Sequence, residues 1–319
     1  MPEFVEKDLL ITAYENPDLD GSACAYGYAE FLRKCNRRAI AGVFGQPDLE
    51  SQFVFRTFNI DQPVSAEKII DDIEKIVIVD ASDANGLADS IDPAKVVEVI
   101  DHRKVNSAHI FPNAEIHIEM VGAAATLIAE KFYVNDIPLS SSSAALLFSA
   151  IVSNTVNFRA GVTTHRDSKM AKWCLDHFSL PENYVKEMFA AKSKLDKPLK
   201  DILMFASFEF GEYKVAIAQL EINDVDAFVE ERLPEIEEIL LNTKNLKGVD
   251  IAFLTCIDVD QGFNTLVACD SQSRRCLAEA LDIKFDGNVA WREGVLMRKE
   301  IAPLIEKILN KGDLSFTLK

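Results

Sequence analysis

Residues 9–34 read LLITAYENPDLDGSACAYGYAEFLRK, and this stretch decides the fold class. Its first six residues, LLITAY, are an apolar run of strand type. From Gly21 to Lys34 the apolar positions recur at helical spacing, with Ser22 near the helix start. Between the two, Pro17 stiffens a turn that carries Asp18 and Asp20, one residue apart. A strand passing through such a turn into a helix is the opening of a βαβ unit. The aspartates have two physical readings, as caps for the helix N-terminus or as oxygen ligands for a metal ion.

Working outward, the same alternation continues. AIAGVFG (39–45), KIVIVDAS (75–82) and KVVEVIDH (95–102) read as further strands, the last two as continuous β-branched runs covered on both faces. IHIEM (116–120) alternates and suits an edge strand, while 121–133, 141–155 and 165–178 carry helical spacing. The expected fold is therefore α/β, a mostly parallel sheet flanked by helices. The polar, Lys-rich stretch AAKSKLDKPLKD (190–201), broken by Pro198, marks a boundary, giving domains at 1–190 and 200–319. The second domain is a smaller α/β unit, with strands at 207–211, 213–221, 250–258 and 263–269. Its helices are expected over INDVDAFVEERLPEIEEILLNTKNL, near 272–281, and in GVLMRKEIAPLIEKIL.

Composition narrows the function. With 319 residues and 48% hydrophobic content the chain can bury two cores. Its 51 acidic against 34 basic residues give a net charge of −17, which argues against an extended nucleic-acid surface. A small phosphorylated substrate stays compatible, because metal ions invert the field of a carboxylate cluster. The six cysteines form no CxxC pair, and Cys24, Cys256 and Cys269 lie in apolar runs expected to be buried. MPEFVEKDLLITAY lacks a basic region followed by an apolar signal core, and no apolar run approaches about 18 residues. A cytoplasmic protein without a membrane contact is the expectation.

Ligands of open parallel sheets bind at the carboxyl ends of the strands. There this sequence places Asp18 and Asp20, then Asp80 in IVIVDAS, then Asp101-His102 in VVEVIDHR. Singly, each has a plain reading as a turn residue, a cap or a hydrogen-bonded histidine. Together they make an oxygen-and-nitrogen set suited to Mn²⁺, Mg²⁺, Fe²⁺ or Zn²⁺.

In order and approximate spacing, PDLDG, IVDAS, VIDHR and SAIVSNT resemble the DHH phosphoesterase superfamily. Over the whole chain the sequence is similar to the family II, manganese-dependent inorganic pyrophosphatases, with EMVGAAATLIAEKF, FRAGVTTHRDSKMA and GVLMRKEIAPLI extending the match. The resemblance implies a DHH domain followed by a DHHA2-like domain, with phosphoanhydride hydrolysis in a cleft between them. It implies a divalent cofactor, Mn²⁺ first and Mg²⁺ or Co²⁺ next, held by Asp18, Asp20, Asp80 and His102, with Asp80 bridging. Asp101 would orient His102, and Arg298 and Lys299 would grip the terminal phosphate. It also implies a homodimer through an edge strand, for which IHIEM is the candidate.

The chain departs from this pattern at the chemistry. Tyr14 and Ala81 stand where the family has histidines, Arg103 replaces the second histidine of the Asp-His-His triplet, and Asn154 replaces the aspartate of the Ser-Asp-Thr segment. A further substrate lysine is missing near Ser207 and Phe208. Arg103 then becomes a candidate to stabilise phosphoryl charge, with Asp80 and Asn154 beside it and Tyr14 supporting the ligands. Three readings follow: a divergent hydrolase of pyrophosphate or short polyphosphate; a catalytically impaired relative that binds a phosphorylated ligand or regulates; and a phosphodiesterase acting on short oligonucleotides or cyclic dinucleotides. The last lacks the glycine-rich C-terminal motif such relatives carry.

Overall fold

The computed structural model describes residues 9–84, 86–103, 107–195 and 197–310. The ends of the two expected domains, 1–8 and 311–319, lie outside them. The chain divides into two compact units, one holding residues up to Phe158 with Thr163–Ala191, the other Arg159–Val162 with the chain from Lys192 onward.

The first unit runs β1 (Leu9–Thr12), α1 (Leu19–Lys34), β2 (Ala39–Val43), α2 (Leu49–Thr57), β3 (Val64–Ser65), β4 (Lys75–Val79), β5 (Val96–Asp101), β6 (Glu115–Ile118), α3 (Ala124–Val134), α4 (Ser141–Asn154), α5 (His165–Leu175) and α6 (Tyr184–Lys192). Its six strands pair in the order β3-β2-β1-β4-β5-β6, and every pairing is parallel. β1, at the centre, is buried throughout. β6 lies at the edge, as the alternation of IHIEM requires. One face, with Leu10, Ile76, Ile78 and Val99, packs against Phe44, Ala66, Ile70 and Phe111, partly on short 3₁₀ helices at Ala66–Lys68 and Ile70–Asp72. Leu9, Ile11, Val77 and Val79 alternate to the other face, and α1 packs along β1 and β2.

The start of α1 differs from expectation. The helix begins at Leu19, and Asp18 rather than Ser22 is its cap, its Oδ1 accepting from the Gly21 amide at 3.0 Å. Asp20 in the first turn and Arg33 and Lys34 in the last oppose the helix dipole correctly. Beyond α4 the backbone turns left-handed at Val156, Asn157 and Phe158 in succession. A β-branched residue there carries strain.

The second unit runs α7 (Leu199–Ile202), β7 (Phe205–Phe210), β8 (Tyr213–Ile222), α8 (Val225–Lys247), β9 (Ile251–Asp258), β10 (Phe263–Val267), α9 (Ser271–Leu281), β11 (Phe285–Asp286), β12 (Val289–Glu293) and α10 (Arg298–Leu309). Its sheet order is β11-β12-β10-β9-β8-β7, parallel only between β8 and β9. Period-two alternation sorts the core. Ala216, Ala218, Leu254 and Cys256 face Val229, Ile236 and Leu240 of α8, while Val215, Ile217, Ile251 and Phe253 face α9 and α10. Cys24 and Cys256 are buried as expected, but Cys269 is only half-buried. No helix among the described residues is long and apolar enough to cross a membrane.

Candidate metal centre

Three neighbouring strands deliver the site. β1 leads through Tyr14 and the Pro17 turn into Asp18 and Asp20, β4 ends at Asp80, and β5 ends at Asp101 and His102. A glycine lets them converge: a Cβ on Gly21 would stand 2.9 Å from the Ala13 Cβ and 3.7 Å from Asp80 Oδ2. Asp80 adopts a left-handed φ of 52°, which aspartate tolerates. Its amide still donates to the Ile100 carbonyl at 2.8 Å, so the turn does not break the pairing with β5.

Asp20, Asp80 and His102 each offer a ligand atom within 4.8 Å of the others, and all three side chains are buried. Asp20 is fully enclosed and satisfied by backbone. Its Oδ2 accepts from the Ala124 amide and its Oδ1 from the Ala125 amide, both at 2.8 Å. The cap position of α3, Ala123, has no capping side chain of its own, so Asp20 caps that helix from α1. Asn154 Nδ2 also donates to Asp20 Oδ2, at 2.6 Å. Burial first, and then the Asp80 carboxylate, push Asp20 up to about 7.

His102 is oriented by backbone as well. Its Nδ1 lies 3.0 Å from the Val121 carbonyl, which can only accept, so Nδ1 carries a proton. Nε2 then points between Asp80 Oδ1 at 3.4 Å and Asp20 Oδ2 at 3.9 Å. Asp80 Oδ1 is buried and makes no hydrogen bond among the described residues. A buried carboxylate oxygen without a donor is costly, and two adjacent carboxylates raise that cost. A divalent cation among these atoms removes both penalties, so the donor set fits one.

The remaining expected residues fall around this triad. Asp18 serves the α1 cap through Oδ1 and is not part of the triad. Asp101 acts on the backbone of His102 rather than on its ring: its Oδ1 accepts from the His102 amide at 2.7 Å, and its Oδ2 from the Ser82 hydroxyl. The Tyr14 hydroxyl accepts from the Asp18 amide at 3.1 Å. Burial, then the Asp18 and Asp80 charges, hold its phenol well above its ordinary value, so it stays neutral. Arg103 donates to the Asp80 carbonyl at 2.9 Å, and its guanidinium lies 5.8 Å from the centre of the Tyr14 ring. Burial works against its charge, and the Asp80 and Asp101 carboxylates more than offset this. Ala81 is buried in the apolar cluster that Tyr14 packs against.

Arg298 and Lys299 open α10 in the second unit. The Arg298 guanidinium reaches the Met204 and Ile217 carbonyls at 3.3 Å, and Lys299 is exposed. Sequence reasoning missed the Ala124 and Ala125 amides and the Val121 carbonyl, because backbone groups carry no residue signature. The small residues of VGAAAT were the available hint, since they allow close backbone approach.

Comparison with known proteins adds five findings. A model of the DHH family, N-terminal domain, matches residues 8–151, and a DHHA2 domain model matches 186–308. The manganese-dependent inorganic pyrophosphatase of Methanocaldococcus jannaschii is 31% identical over 315 residues, covering 94% of this chain and 99% of its own. That of Methanothrix thermoacetophila is 27% identical over 317 residues, covering 95% and 99%. Among solved structures, one from Methanococcus jannaschii assigned to the family II inorganic pyrophosphatases has a TM-score of 0.76 at 28% identity, covering 95% of this chain and 99% of its own.

Proposed function

This chain belongs to the DHH family, alongside the family II manganese-dependent inorganic pyrophosphatases, and from that membership we propose that it is a metal-dependent phosphoanhydride hydrolase acting on pyrophosphate or a short polyphosphate. The observation that carries the reading is Asp80 Oδ1, buried beside His102 Nε2 and without a hydrogen bond among the described residues. We assign Asp20, Asp80 and His102 as the ligands of one divalent ion, Mn²⁺ by its relatives' dependence, with Mg²⁺ or Co²⁺ as alternatives. Asp18 is the proposed additional ligand. When bound, such an ion withdraws charge from phosphoryl oxygens and lowers the pKa of water.

The chain's own residues do the rest. Arg103 is held rigidly by the Asp80 carbonyl and the Tyr14 ring, and a fixed guanidinium of this kind balances charge on phosphoryl oxygens. Asn154 holds Asp20 in orientation without adding a second anion. Arg298 and Lys299 are assigned the substrate phosphate, the first by its forked donors and the second as a point charge. The enzyme is proposed to be cytoplasmic and to form a homodimer by pairing of β6 edges.

A second reading, a phosphate-binding relative with weak turnover, is favoured by Asn154. Its amide takes up Asp20 Oδ2 where a carboxylate would add a ligand. Phosphate release from pyrophosphate and tripolyphosphate, and mononucleotide release from a short oligonucleotide, under Mn²⁺, Mg²⁺ or Co²⁺ separate the readings. Release from pyrophosphate that disappears in Asp80→Asn is the expected result. No release above that variant on any substrate would sink the hydrolase.

A further inference from the structure

We propose that Asp167 is a positioning residue for the metal centre: by gripping Gly122 it fixes the segment that orients His102 and whose helix start is capped by Asp20. The assignment rests on the reading of Asp20, Asp80 and His102 as metal ligands.

The motif FRAGVTTHRDSKMA has no role in the chemistry described so far, yet its aspartate is fully buried. Both carboxylate oxygens are occupied. The Gly122 amide donates to Oδ1 at 3.0 Å and to Oδ2 at 2.9 Å, and the Thr126 hydroxyl donates to Oδ1 at 2.6 Å. The Thr164 amide and hydroxyl donate to Oδ2, both at 2.7 Å. Such a donor shell fixes a buried carboxylate in one orientation.

Two of these five contacts are local. Thr164 and Asp167 form the capping box of α5, which needs nothing beyond that pair. The Gly122 and Thr126 contacts reach a different element, and they meet the metal centre from behind. One residue before Gly122, the Val121 carbonyl takes the His102 ring. Two and three residues after it, the Ala124 and Ala125 amides hold Asp20. One short segment, the loop at 121–123 and the start of α3, therefore sets two of the three ligands, and Asp167 is the side chain that anchors it. The fit is close: a Cβ on Gly122 would stand 2.5 Å from Thr155 Cγ2 and 3.0 Å from Asp167 Oδ2.

The test uses the full chain and the metal itself. Asp167→Asn keeps the shape but turns an amide donor toward N–H groups. Calorimetric titration with Mn²⁺ should give a dissociation constant about 10–100-fold weaker than wild type, the usual effect of losing a group that orients ligands. Met170→Ala, a core truncation on the same helix, controls for lost stability and should bind Mn²⁺ within about two-fold of wild type. Hydrogen exchange at the Ala124 and Ala125 amides should quicken in Asp167→Asn and not in Met170→Ala. Wild-type affinity in Asp167→Asn, or an equal loss in Met170→Ala, would overturn the assignment.

If wild type itself takes up no Mn²⁺, the metal reading fails, and amide exchange alone then decides the positioning role. Should Asp167→Asn not fold, Thr126→Val carries the test, with an expected affinity loss of about three- to ten-fold. Wild-type binding and exchange in that variant would overturn the assignment equally.

Discussion

Asn154 donates from its side-chain amide to Asp20 Oδ2 at 2.6 Å, joining the last residue of α4 to a carboxylate near the start of α1. The amide neutralises nothing, but it satisfies an oxygen that would otherwise face a neighbouring carboxylate. Asn154→Asp replaces that donor with a second anion. The metal-free protein should lose about 1–3 kcal/mol, the cost of turning a buried hydrogen bond into a repulsion. Mn²⁺ should restore more stability to this variant than to wild type. Thermal unfolding with and without Mn²⁺ measures both effects.

Asp80→Asn removes the charge of the carboxylate whose Oδ1 makes no hydrogen bond among the described residues. Saturating wild type with Mn²⁺ at 100 times its Kd should add about 2.7 kcal/mol of stability by mass action. For a unit of this size that corresponds to a Tm rise of roughly 5–11 °C. The variant should lose most of that rise and about a hundred-fold or more of the proposed pyrophosphatase rate, more than a merely orienting group costs. An undiminished Tm response would remove Asp80 from the ligand set.

Arg298→Ala tests the substrate assignment in the second unit. A contact made equally in ground and transition states should raise KM by about ten-fold or more while kcat changes less. A fall in kcat at constant KM would place the guanidinium in the chemical step instead.

Gly122→Ala addresses packing. The added methyl meets Thr155 closer than real contacts allow and presses tightly on Asp167, so the variant should be destabilised by about 1–3 kcal/mol. Urea unfolding reads this directly, and a neutral result would mean that the loop has room to move.

Asp270 supplies the pH dependence of the second unit. Burial alone would raise its pKa. The Lys244 ammonium at 2.8 Å, the Ser273 hydroxyl and the Ser273 amide outweigh burial and hold it below the ordinary carboxylate range. A carboxylate depressed on folding contributes stability above its unfolded pKa of about 3.9. That contribution is lost as pH falls from there through the lower folded value. Asp270→Asn keeps the α9 cap but not the ion pair. It should cost about 0.5–1 kcal/mol at pH 7 and progressively less as pH falls below about 4. Urea unfolding across that range would expose a cost that stays constant.

Much of this arrangement is legible in the sequence because it rests on side-chain type. The unbroken β-branched runs ending in Asp80 and Asp101 mark central parallel strands, and the structure brings Asp20, Asp80 and His102 to one point. The short strands β3, β11 and β12 carried too little periodicity to be found. Helix α2 went unread although Asp48 caps it, accepting from the Ser51 amide at 2.7 Å. Within the site, the identity of Asp18 as a helix cap follows from turn chemistry. The orientation of His102 by a carbonyl rather than by Asp101 does not, because any residue at 121 offers the same oxygen. Asp167 was readable only as half of a capping box, since its second partner, Gly122, lies 45 residues away along the chain.

The cap that Asp20 provides to α3 has a consequence for descent. A lineage that stopped using metal would still need this carboxylate to terminate a helix, so drift would not erase it quickly. Its presence in a relative is therefore poor testimony to catalysis, and its removal in the laboratory confounds folding with chemistry. Asp80 Oδ1 carries no such second duty among the described residues. Once the ion no longer matters, that position is the one released to change. Among descendants of this chain, the residue at 80 is thus the better witness to a working centre.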